Sequence, residues 1–199
     1  MRARTRYIAP VGIAVLAGCA GAPHAAAPAH VPHHAPPPLP HFGGPTNPIA
    51  NGSFELGTVG WRTYPNSTLS ISRRFARFGS RSVLVKVITP GSYGVFQQSV
   101  VGLPTRGSRW TLSAWVKGNQ EAVGQRLVAQ FNESGGAASP ATYAHVTTAL
   151  QSKWTHVVAR GIVHGSDRTS LDVYFIRLGN ISRGEGFLVD GAELRFSPR

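Results

Sequence analysis

Apolar and polar residues alternate one by one over short runs of this chain, and that pattern limits what it can fold into. The clearest run is Arg109 to Lys117. Trp110, Leu112, Ala114 and Val116 fall on one side of it, and Thr111, Ser113, Trp115 and Lys117 on the other. Successive side chains of a β-strand point to opposite faces, so a period of two marks a strand with one face toward a core. Further runs cover 82–88, 93–100, 126–131, 154–163, 170–178 and 186–196, divided by Gly, Pro and Asn. No long stretch repeats with the 3.6-residue period of a helix. Many short strands with turn signals between them predict an all-β sandwich or barrel. There is no internal repeat.

The first residues are a different material. Arg2, Arg4 and Arg6 precede an apolar stretch from Tyr7 to Ala17 that is interrupted by Pro10 and Gly12. It is too short to span a bilayer as a stable helix and reads as a signal peptide over 1–18. It ends Leu16-Ala17-Gly18-Cys19, which resembles the bacterial lipobox. The resemblance implies a diacylglyceryl thioether on Cys19 and anchoring at the cell membrane or surface, since several acyl chains hold where one is marginal. An ordinary signal peptide that happens to contain a cysteine is the competing reading. Residues 19–48 are mostly Ala, Pro, His and Gly, with no charge between Ala20 and Pro48. Such a tract buries too little apolar surface to fold, and a disordered, partly extended spacer is expected. Its histidines, among them His33 and His34, read either as a transition-metal tract or as incidental linker residues.

The formal net charge of +12 suggests anionic partners, or simply solubility. Arg73, Arg74 and Arg77 make the one tight basic cluster, and no nucleic-acid motif accompanies them, so no specific nucleic acid is expected. Cys19 is the single cysteine, which excludes an internal disulfide.

The body, residues 49–199, carries an ordered set of motifs. Asn51-Gly52-Ser53-Phe54-Glu55 and Gly60-Trp61 open it. Phe78-Gly79-Ser80-Arg81-Ser82 precedes a Val-rich strand. Val95 to Val100, Gly102-Leu103-Pro104 and Trp110 to Gly118 follow, and Phe187-Leu188-Val189-Asp190-Gly191-Ala192-Glu193-Leu194 closes it. In that order they resemble the carbohydrate-binding modules of families 4, 9 and 22. The resemblance implies a jelly-roll β-sandwich of two antiparallel sheets with a galactose-binding-domain-like topology. It also implies non-catalytic binding of a polysaccharide such as a β-glucan, a xylan or a cell-wall glycan.

The resemblance further implies a structural calcium held by the Ser53 carbonyl, Glu55 and Asp190, with carbonyls near Arg77 and Gly79 completing the shell. Against this, Gly191 follows the late Asp, and 70–81 holds no acidic residue. Glu55 and Asp190 also read as ordinary hydrogen-bonding residues at strand ends. Sugar binding needs a flat ring flanked by polar side chains. By alternation the candidates are Trp115, Tyr174, Gln97, Asp172 and Gln130, with Arg177 and Tyr93 bordering the cleft; Trp115 and Tyr174 fit core packing as well. Gln98 reads as an interior residue bonded to backbone, and Trp61, Trp110 and Trp154 read as core. Hydrolysis of a glycoside wants two facing carboxylates, but the chain has only eight acidic residues and no hydrolase motif. The competing function is a basic adhesion or assembly module that binds anionic polymers or a protein partner.

Overall fold

The computed structural model describes residues 47–99, 106–134, 142–165 and 170–197. The expected signal peptide, Cys19 and the spacer up to residue 46 lie outside the described residues. The elements are β1 (Arg62–Thr63), β2 (Ser67–Ser72), β3 (Ser82–Val87), β4 (Tyr93–Ser99) and β5 (Arg109–Gly118), a short 3-10 helix (Gln120–Ala122), then β6 (Arg126–Ser134), β7 (Thr142–Ala149), β8 (Thr155–Ile162), β9 (Ser170–Arg177) and β10 (Gly186–Ser197). Each ladder is antiparallel. The first sheet runs β1-β4-β9-β6-β7 and the second β2-β3-β10-β5-β8. This is the jelly-roll sandwich that the alternation and the motifs predict.

The inner faces meet in one core. Trp110, Leu112, Ala114 and Val116 of β5 are buried, as their spacing requires, opposite Leu127, Ala129 and Phe131 of β6. Trp110 packs on Phe131 at 4.5 Å between ring centroids, and Tyr93 on Phe187 at 5.6 Å, so both pairs join sheet to sheet. Three strands escape the sequence pattern, the two-residue β1 among them. β2 (Ser67–Ser72) is half serine, and β7 (Thr142–Ala149) exposes His145, Thr147 and Ala149. All three are sheet edges with little apolar burial, whereas the fourth edge, β8, buries Val157 and Ala159 and keeps a legible run.

The opening segment is a clamp rather than a strand. Asn51 donates from Nδ2 to the Gly57 and Val59 carbonyls and accepts from the Leu56 N–H, while its own carbonyl accepts from the Trp61 indole. The Asn-Gly-Ser-Phe-Glu and Gly-Trp motifs are therefore two halves of one loop. A Cβ on Gly52 would meet the Ala192 carbonyl oxygen at 2.0 Å, so only glycine lets the loop lie on β10. The folded body also takes in Asn47, ahead of the expected start at 49. Its Oδ1 accepts from the Ile49 and Leu194 N–H groups at 3.1 and 3.0 Å.

Candidate functional site

The outer face of the first sheet gathers aromatic and polar side chains in register. Arg62, Phe96, Tyr174, Gln130 and His145 form one row across β1, β4, β9, β6 and β7. Gln98, Asp172 and Asn132 form the row beside it. Phe96 and Tyr174 stack at 5.3 Å with 15° between their planes, and Tyr64 meets Tyr174 edge-on at 6.2 Å. Cross-strand aromatic pairs of this kind fix each other's rotamers and make an apolar ridge.

The polar members are held by one another. Gln98 donates to Ser170 Oγ at 2.9 Å, Ser170 donates to Asp172 Oδ1 at 2.7 Å, and Gln130 donates to Asn132 Oδ1 at 2.6 Å. The Tyr174 hydroxyl donates to Asp172 Oδ2 at 3.4 Å. Burial, and then the neighbouring Asp172 carboxylate, push the Tyr174 hydroxyl up to about 12, so it stays a neutral donor. Such a surface offers C–H contact on the ridge and both donors and acceptors beside it, which is what a pyranose needs.

Of the expected ligand residues, the fold brings Tyr174, Asp172 and Gln130 together on this face. It turns the others elsewhere. Gln97 points inward at 3% exposure, where its amide accepts from the Ala50 N–H at 2.7 Å and donates to the Ala50 carbonyl at 2.9 Å. Gln98 takes the outward place instead, so the expected faces of the two glutamines are exchanged. Tyr93 is fully buried against Phe187. Arg177 is also interior: it pairs with Glu185 at 3.3 Å and donates to Gln125 Oε1 and the Asn180 carbonyl. Trp115 does face outward, but from the second sheet. It lies under the Arg77 guanidinium at 4.1 Å and stacks on His156 at 5.0 Å. Trp61 and Trp110 are buried as expected, and Trp154 is half-buried. Phe96 and Tyr64 also belong to this face: Phe96 alternates with inward-facing neighbours, and Tyr64, just beyond a two-residue strand, carries no alternation signal of its own.

Glu55 and Asp190 meet the same piece of chain, a strap over residues 73–81 that crosses the outer face of the second sheet. Asp190 Oδ2 accepts from the Arg77 and Phe78 N–H groups at 2.7 and 2.9 Å, and Oδ1 accepts from the Gly191 N–H at 2.7 Å. Glu55 accepts from the Ser80 and Arg81 N–H groups, both at 2.9 Å, and from Ser80 Oγ at 2.8 Å. Burial pushes Asp190 up to about 6 in spite of its N–H donors, and Glu55 adds to the rise. Burial also works against the charge on Glu55, but the Ser80 hydroxyl and the Ser80 and Arg81 N–H groups prevail and hold it below its ordinary value.

A calcium shell wants six to eight oxygens turned toward the ion. Here the strap turns N–H groups toward both carboxylates, and those bonds use most of the lone pairs that two carboxylates possess. Among the described residues no third His, Cys, Asp or Glu joins them. As placed, Glu55 and Asp190, the two carboxylates of the expected set with Ser53, are engaged by N–H groups and do not fit a calcium ion.

The carbohydrate-binding domain family (families 4 and 9) matches residues 46–177, and the chain belongs to that family. No curated protein matches the chain. Among solved structures, it is similar to the CBM22-1 xylan-binding domain of Xyn10C from Paenibacillus barcinonensis, at 16% identity and a TM-score of 0.58, over 74% of this chain and 93% of that one. It is similar to TmCBM61 bound to β-1,4-galactotriose, at 18% identity and a TM-score of 0.52, over 76% and 99%. It is also similar to the Stig cyclase Fisc from Fischerella sp. TAU, at 16% identity and a TM-score of 0.60, over 77% and 98%. At these identities the likeness is one of fold.

Proposed function

We propose that this chain is a non-catalytic polysaccharide-binding lipoprotein that takes its ligand on the outer face of the first sheet. The stacked Phe96–Tyr174 pair, flanked by Gln98, Asp172 and Gln130, carries the reading. The xylan- and galactotriose-binding neighbours support a neutral polysaccharide, with xylan, β-glucan and cell-wall glycans as the first to try. Asp172 is the one carboxylate on that face among the described residues. Glu133 is spent on the His164 and Gly165 N–H groups, Glu185 on Arg177 and Glu193 on Arg195. A lone carboxylate does not make the pair that glycoside hydrolysis needs. The lipobox at Cys19 and the uncharged spacer support an anchor at the cell membrane or surface with the domain held away from it.

The test is retention of the purified full chain on a panel of neutral and acidic polysaccharides at low and high salt. A neutral glycan should retain it, with little loss at high salt. Tyr174→Ala or Phe96→Ala should each weaken retention roughly tenfold, the scale of one aromatic contact. Trp115→Ala should leave it unchanged. Retention on acidic polymers alone, released by salt, would favour the basic adhesion module instead.

A further inference from the structure

The outer face of the second sheet carries a groove of about 910 Å³ that the glycan reading leaves unused. Its floor is aliphatic: Leu84 of β3 and Leu188 of β10 sit opposite each other in the ladder. Phe75 of the strap and Val123, just after the 3-10 helix, also line it. Arg73, Arg74, Lys86 and Lys117 stand around it, and no Asp or Glu lines it. Among the described residues none of these cations pairs with a carboxylate. Lys117 Nζ lies 4.3 Å from the Phe75 ring centroid and Arg74 Cζ lies 5.2 Å from it.

We infer that this groove binds a single-chain anionic amphiphile, an alkyl carboxylate of fatty-acid type. The apolar floor takes the chain and the cationic rim takes the head group. An acidic glycan fits less well, because Asn119 and Ser72, polar side chains beside the apolar floor, are engaged by the fold. Asn119 accepts from the Ala122 and Gly186 N–H groups and donates to the Gly184 carbonyl. Ser72 Oγ accepts from the Phe75 N–H. The Phe75 ring, which a sugar would stack on, already has Arg74 and Lys117 over it. The groove is preformed, because Asp190 and Glu55 pin the strap through its backbone N–H groups. Preorganised walls spare the ligand the cost of ordering them.

Calorimetric titration of the full chain with sodium laurate, below its micelle concentration, tests this. Laurate should bind saturably, and dodecyltrimethylammonium, with the same chain and the opposite charge, at least roughly tenfold more weakly. Arg74→Gln with Lys117→Gln should weaken laurate roughly tenfold. Val123→Glu, at a position 41% exposed and so tolerant of charge, should abolish laurate binding with circular dichroism and glycan retention intact. Phe96→Ala should leave laurate untouched. Equal affinity for the two amphiphiles, laurate binding that survives Val123→Glu, or binding of polygalacturonate in place of laurate would overturn the inference.

Discussion

Gln97 joins the opening segment to the first sheet by bonding both the N–H and the carbonyl of Ala50. Gln97→Met keeps the side-chain length and leaves both backbone groups unpaired. It should cost about 1–3 kcal/mol in denaturant unfolding. Gly52→Ala should cost about as much or more, because the obstruction is the Ala192 backbone rather than a side chain that can turn away. Asp190 makes a prediction in pH. Its folded value of about 6 stands above its ordinary 3.8. Between those values the folded chain holds a proton that the unfolded chain has lost, so this group's contribution falls as pH rises through the window. Glu55 has the opposite sign: its contribution is present above 4.5 and is lost as pH falls through its lowered folded value. Denaturation midpoints should therefore decline from about pH 4.5 to pH 6.5. Asp190→Asn should flatten that slope, whatever it does to absolute stability.

The strap over residues 73–81 is the element on which the second sheet's outer face depends. Two carboxylates hold it by backbone N–H groups, and Ser82 Oγ donates to the Phe75 carbonyl at its root. This hydrogen bonding satisfies the anions that a calcium ion would otherwise neutralise. Treatment with a chelator should leave the melting temperature unchanged, and a fall of several degrees would show a bound cation. Glu55→Ala should loosen the strap without unfolding the sandwich. Trypsin would report it as faster cleavage after Arg73, Arg74 and Arg77, which lie exposed on the strap.

At the largest scale, the sandwich of described residues presents two unlike faces. The first sheet shows an aromatic and amide-rich face, and the second shows cations around an aliphatic groove. Salt distinguishes them. Contacts between neutral sugar and stacked rings are insensitive to screening, whereas contacts made by exposed arginine and lysine weaken with it. Across a salt series the full chain should keep its hold on a neutral glycan while its affinity for laurate falls.

The strand set was legible because a core imposes period two on any strand with one face buried. The jelly roll was legible from the order of its motifs. Edge strands β1, β2 and β7 were not, since an edge that buries almost no apolar side chain does not enforce alternation, as edge β8 with Val157 and Ala159 does. The site was legible in part. Tyr174, Asp172 and Gln130 alternate with core residues on central strands, so their direction is written locally. Gln97 and Gln98 are chemically equal, and only the arrival of Ala50 from a distant part of the chain decides which one turns inward. Trp115 alternates outward as the sequence says, but which sheet it belongs to depends on long-range pairing. So too with Glu55 and Asp190: the sequence by itself determined the carboxylates, and the tertiary path of the strap decided that they would meet N–H groups. Local alternation records the sign of each face, whereas the partner across that face is chosen by contacts remote in sequence.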